Sequence, residues 1–176
     1  FKNVSFAYPG TERKILEHFN YVIHKGDQIG IAGESGAGKS TLLRLLLRFY
    51  APSEGQILIN GIPLEQISFS ELHKRIAFLE QDTYLFDMTI GENIGIAKPG
   101  ASIEEIKDAA KQAGIAEFID TLPEGYDTDM GQMSARLSGG ERQRIGIARI
   151  LLRNPDICLM DEPSSALDAL HEKELL

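Results

Sequence analysis

Gly33-Glu34-Ser35-Gly36-Ala37-Gly38-Lys39-Ser40 decides how this chain folds. The stretch reads G-x-x-x-x-G-K-S, the P-loop pattern, whose backbone cradles phosphate. Before it, Gln28-Ile29-Gly30-Ile31-Ala32 is a short apolar run that predicts a buried strand. After it, residues 41–49 predict a helix on intrinsic propensity, ending near Tyr50. Glycines let the backbone turn sharply and approach a ligand. Backbone N–H groups of the loop and of the first helical turn then converge, and the helix dipole adds to them. Lys39 supplies a full positive charge for the outer phosphates. Ser40 supplies a hydroxyl for Mg²⁺, a hard ion that takes oxygen ligands and keeps several waters.

The chain has 176 residues, enough for one domain with a real core. Hydrophobic residues make up 43% of it, which excludes a disordered chain. A formal net charge of −8 argues against a general nucleic-acid grip. The single cysteine, Cys158, excludes an intrachain disulfide and lies in an apolar run that predicts core packing. No apolar stretch approaches the ~20 residues of a membrane span. Phe1 opens inside a strand-like run and Leu176 closes inside a helix-like one, so both ends read as cuts in a longer polypeptide.

Val4, Phe6 and Tyr8 alternate with Ser5 and Ala7, a strand pattern turned by Pro9-Gly10. Residues 15–23 predict a second strand and residues 56–59 another, followed by Asn60-Gly61, a strong hairpin signal. Residues 70–75 predict a short helix, and Ile76-Ala77-Phe78-Leu79 an apolar strand running into Glu80-Gln81-Asp82. Between Thr83 and Arg136 no strand is expected. Thr89 with Glu92, and Ser102 with Glu105, match the capping box that starts helices. Gly114 suits a helix end. This section predicts a helical subdomain, residues 83–136, set into an α/β core made of 1–82 and 137–176.

Leu137-Ser138-Gly139-Gly140-Glu141 holds another capping box, Ser138 with Glu141. The helix it starts is expected from about Gly139 to Leu152, stopping before Asn154-Pro155. Its glycine-lined start is a second potential anion seat. Taken alone it reads first as a well-capped surface helix. Arg142, Arg144, Arg149 and Arg153 read as solvated helix charges. Then Ile157-Cys158-Leu159-Met160 ends in Asp161-Glu162. A strand followed by an acid is the expected partner of a P-loop, the Asp reaching the Mg²⁺ shell. The next Glu is placed to polarise a water aimed at the terminal phosphate.

In this order these stretches resemble the nucleotide-binding domain of ATP-binding cassette (ABC) transporters over essentially the whole chain. The most specific is Leu137-Ser138-Gly139-Gly140-Glu141, which resembles the family signature. The resemblance implies an α/β fold: a P-loop NTPase core with an N-terminal antiparallel β subdomain and an inserted α-helical subdomain. It implies Mg-dependent ATP hydrolysis, with ATP and Mg²⁺ as cofactors. Residues 33–40 match Walker A, with Thr41 following. Asp161 matches the Walker B magnesium acid and Glu162 the catalytic glutamate. Gln81 matches the Q-loop glutamine, toward Mg²⁺ and the attacking water. Tyr8 matches the aromatic that stacks on adenine; from the residues alone it is a strand-end aromatic with core or edge packing as the default. Ser165-Ala166-Leu167-Asp168 resembles the D-loop.

The resemblance further implies a head-to-tail pair of such domains, of the same or different chains. Ser138 and Gly140 of one would meet the γ-phosphate bound to the other. Leu85-Phe86, Thr89-Ile90 and Glu92-Asn93-Ile94 resemble exporter-type members, which places the domain beside transmembrane domains on the cytoplasmic face of a membrane. Departures from the exporter pattern are Gln132 and Ser134, where a Glu and a Gly are usual, and Glu141 in place of a Gln. The switch histidine is expected past Leu176. His171 is too close to Asp168, and His18, His24 and His73 read as surface residues. Two rivals remain at this point: a non-hydrolytic half of an asymmetric pair, and a soluble ABC ATPase acting on DNA or ribosomes. Glu162 and the signature argue against the first; the acidic balance argues against a DNA-organising form of the second.

Overall fold

In the computed structural model the described residues are 1–34, 36–80, 82–133 and 137–161, with backbone alone for Gln132 and Met133. They divide into two compact units after Lys74.

The first unit is built on β1 (Lys2–Ala7), β2 (Lys14–Phe19) and β3 (Glu54–Gln56) in the antiparallel order β2-β1-β3. Val4 pairs with Phe19 and Phe6 with Leu16. Val4 and Phe6 point the same way along the strand and are buried. Helix α1 (Lys39–Leu46) buries Leu42, Leu43, Leu45 and Leu46, an apolar stripe at helical spacing. β4 (Leu58–Ile59) and β5 (Ile62–Pro63) form the expected hairpin. Asn60 and Gly61 both take positive φ, 51° and 80°, as a tight I′ turn demands. Helix α2 (Phe69–Arg75) closes the unit.

Three expectations for this unit are corrected. Residues 28–32 form no strand; they are exposed, with Ile29 at 40% and Ile31 at 47%. An apolar run becomes a strand only where a ladder pairs with it, and among the described residues no strand pairs with residues 28–32. The second strand stops at Phe19 rather than residue 23. There Asn20 Oδ1 accepts the Asn3 N–H at 2.8 Å, and Asn3 and His18 take positive φ, so the regular ladder is interrupted, although Tyr21 still exchanges hydrogen bonds with Phe1. α1 ends at Leu46, because Arg48 adopts φ 57° and turns the chain before Tyr50. His18, His24 and His73 are exposed, as expected.

The second unit pairs β6 (Ile76–Leu79) with β7 (Ile157–Met160) in parallel, Leu79 beside Met160. Between them run α3 (Ile90–Gly95), α4 (Ile103–Gln112), α5 (Ala116–Asp120), α6 (Met130–Met133) and α7 (Gly139–Arg153). Ile90, Ile94, Ile115, Ile119, Ile145 and Ala148 are wholly buried between these helices. No strand interrupts them among the described residues; the one antiparallel bridge joins Thr89 to Asp129. Helices α3, α4 and α7 start with complete capping boxes, at Thr89, Ser102 and Ser138. Gly114, at φ 69°, follows the end of α4. α7 lies close on β6, since a Cβ on Gly146 would come within 2.6 Å of Leu79 Cδ1 and 2.7 Å of Thr83 Oγ1. Among the described residues no helix is long and apolar enough to cross a membrane.

Candidate functional site

The phosphate loop opens α1. Gly36 and Gly38 take φ of 81° and 94°, and Gly38 is the helix N-cap. Gly38 O accepts from the N–H groups of Thr41 and Leu42 at 3.1 and 3.2 Å. Gly38 is also buried against β2: a Cβ there would meet Ile15 Cγ2 at 2.8 Å. Only glycine combines that turn with that approach. Lys39 Nζ donates to Gly33 O at 2.8 Å and to Glu34 O at 3.0 Å. The ammonium therefore bridges the start of the loop from the first residue of α1. Ser40 and Thr41 follow it on the first helical turn, at the positive end of the dipole.

Tyr8 belongs to this neighbourhood. Its hydroxyl shares a 2.9 Å hydrogen bond with Thr41 Oγ1 and accepts from Arg44 Nη1 at 3.2 Å. Phe6 and Tyr50 meet its ring edge-on, with centroids 5.0 and 5.2 Å away. A polar tip tied to α1 and an apolar body held by aromatics fix the half-buried ring relative to the loop. The sequence offered Tyr8 only as an end-of-strand aromatic. The anchor on Thr41, 33 residues away, is visible only in the fold.

In the second unit Asp161 N donates to Leu79 O at 3.0 Å, extending the parallel ladder one step past β7. Glu80 after β6 and Asp161 after β7 thus leave the sheet at the same carboxyl edge. Ligands of parallel sheets bind beyond that edge. α7 begins at Ser138, whose Oγ accepts from Glu141 N at 3.2 Å while Glu141 Oε2 accepts from Ser138 N at 2.7 Å. Gly139 and Gly140 hold the first two helical positions, where N–H groups have no acceptor one turn back. Glu141 therefore completes the cap. Ser138→Ala is expected to lower stability by about 1 kcal/mol, read as an earlier denaturation midpoint.

Ser35, Gln81, Glu162, Ser134 and the D-loop residues with Asp168 lie outside the described residues, as do the side chain of Gln132 and His171.

Two other expectations are corrected. Arg149 is not a solvated charge. It is half-buried, it donates hydrogen bonds to Tyr84 and Asn93, and desolvation holds its pKa below the usual guanidinium value. It lies one turn beyond Ile145 on the buried stripe of α7; a charge on an apolar stripe is the signal that could have marked it. Cys158 is exposed rather than buried, because Leu159 takes the core-facing position of β7. Partial desolvation still pushes its thiol pKa up.

The sequence model of a family described as ABC transporter matches residues 16–165. A Haemophilus influenzae protein described as a probable ABC transporter ATP-binding/permease protein is 50% identical over 175 residues, covering 99% of this chain and 31% of that protein. An ATM1-type heavy metal exporter of Novosphingobium aromaticivorans is 47% identical over 176 residues, covering 100% and 29%. The solved structure of a bacterial Atm1-family ABC exporter with ATP bound matches with a TM-score of 0.92 at 46% identity, covering 99% of this chain and 31% of that one. The chain thus spans under a third of the length of these relatives. Their agreement along almost all of it, over an α/β P-loop NTPase fold, means that the chain belongs to the ABC transporter family.

Proposed function

We propose that this chain is the ATP-binding and ATP-hydrolysing cassette of a membrane exporter. The observation that carries the proposal is the loop at α1. It has two positive-φ glycines, an ammonium drawn across its start, and a tyrosine tied to the same helical turn. Phosphates would lie against the backbone of residues 33–41 with Lys39 redirected toward them, and adenine against Tyr8.

Ser40, Gln81 and Asp161 would hold Mg²⁺ through a hydroxyl, an amide oxygen and a carboxylate, an all-oxygen set that suits this ion. When bound, the ion would neutralise charge building on the phosphate oxygens.

Glu162, next after Asp161, orients the attacking water. Catalysis is then mainly positioning and electrostatics, with little covalent work for the protein. In this reading residues 83–136 are the helical subdomain and the remainder the ATP-binding core. Two cassettes close head to tail, Ser138, Gly139, Gly140 and Glu141 of one meeting the nucleotide of the other, and Asp168 of the D-loop resemblance joins the nucleotide-binding set. Closure and hydrolytic reopening drive attached transmembrane domains from the cytoplasmic face by population shift.

The test is the mass in solution of Glu162→Gln, in a chain extended past Leu176, with and without MgATP. A dimer that forms only with MgATP supports the reading. A monomer that fails to bind ATP overturns it. A monomer that binds ATP overturns self-pairing and transfers closure to a different partner cassette.

A further inference from the structure

Arg149 and Asn93 form a polar hub in the second unit that the nucleotide chemistry leaves unexplained. Asn93 is fully buried. Its Oδ1 accepts from Phe86 N at 2.9 Å and Arg149 Nη2 at 2.8 Å. Its Nδ2 donates to the carbonyls of Phe86, Met88 and Thr89 at 3.0, 3.2 and 3.0 Å. Arg149 Nε donates to Asn93 O and Nη1 to Tyr84 O, each at 2.7 Å. The guanidinium carbon lies 5.7 Å from the centroid of the Phe86 ring. The acceptors of Arg149 among the described residues are all neutral oxygens, so its charge is held there by dipoles. A methionine would fill such a site at less desolvation cost. What Arg adds is a planar fork that fixes several directions at once.

The loop so held ends in an exposed aromatic tip. Tyr84 is 69% exposed and Phe86 39%, and their rings pack edge-on at 5.0 Å. Exposed aromatics on a loop would ordinarily move independently of the helix beneath. Here the main chain at Tyr84 is bonded straight to α7. The same helix begins, about three turns earlier, at Ser138.

We propose that Arg149 is a positioning residue that makes the Tyr84–Phe86 tip and the Ser138 end of α7 one rigid body. Contact of nucleotide with Ser138 is thereby delivered to the tip. This rests on the nucleotide-binding reading above.

Hydrogen exchange of the full-length protein, with and without MgATP in the Glu162→Gln background, tests it. In the parent, MgATP should slow exchange at residues 36–44, at 138–143 and, about fivefold or more, at 86–93. In Arg149→Lys and Arg149→Met the first two segments should stay protected. The slowing at 86–93 should fall below about twofold. A merely structural role would speed exchange at 86–93 in both conditions and leave their ratio unchanged; that result overturns the proposal. So does a parent in which MgATP protects 36–44 but never 86–93. Lack of protection at 36–44 would instead overturn the nucleotide reading, and the inference with it. Should Arg149→Met not fold, Arg149→Lys carries the test, because it keeps the charge and loses the fork.

Discussion

Glu162→Gln is expected to bind MgATP with unchanged affinity and to turn it over roughly 10²–10⁴-fold more slowly, the range for loss of a general base. The amide keeps the size of the carboxylate and loses its ability to draw a proton from water. Phosphates and adenine are held by residues 33–41 and Tyr8 in the proposed site, so binding does not depend on this group. Nucleotide titration and phosphate release at saturating MgATP give the two numbers separately. Turnover equal to the parent would remove Glu162 from that role. Weakened binding with normal turnover would place it on the nucleotide instead of the water.

Gly38→Ala is expected to cost both stability and nucleotide binding. At φ 94° any side chain is strained, and strain of this kind costs about 1–3 kcal/mol. The added methyl would also lie 2.8 Å from Ile15 Cγ2 and 3.7 Å from Leu16 Cδ2; overpacking adds about 1 kcal/mol or more. A combined loss of roughly 2–4 kcal/mol is a large share of an ordinary domain's stability. Gly36→Ala is the control. Gly36 has φ 81° but nothing within 4 Å of the new Cβ, so only the backbone strain applies. Urea denaturation of both variants separates the two costs. Equal losses would show that contact with β2 contributes nothing.

What could be seen in advance was what local chemistry decides. Ser138 and Glu141, three residues apart, satisfy each other's N–H groups whatever surrounds them; Thr89 with Glu92 and Ser102 with Glu105 do the same. Asn60-Gly61 turns because both residues tolerate positive φ. What stayed hidden depends on distant neighbours. Residues 28–32 have a strand's composition but no ladder. Arg149 has the letter of a surface charge, but its acceptors on Asn93 and Tyr84 lie 56 and 65 residues earlier in the chain. For the same reason the motif marked Lys39 as a candidate for phosphate, and only the fold showed which carbonyls it holds.

The turn after α7 has a consequence for how two nucleotides would be used. Asn154 caps α7 in the left-handed region at φ 50°. Pro155 cannot extend the helix, and Asp156 completes a connection of three residues to β7. The chain from Ser138 to Asp161 is therefore a helix and a strand with almost no slack between them. In a head-to-tail pair, its first end serves the partner's nucleotide and its last end serves its own. Occupancy of one site would then bias the geometry of the other through a single stiff segment on each side. Such a pair would fill and empty cooperatively, and the expected ATP dependence is steeper than that of two independent sites.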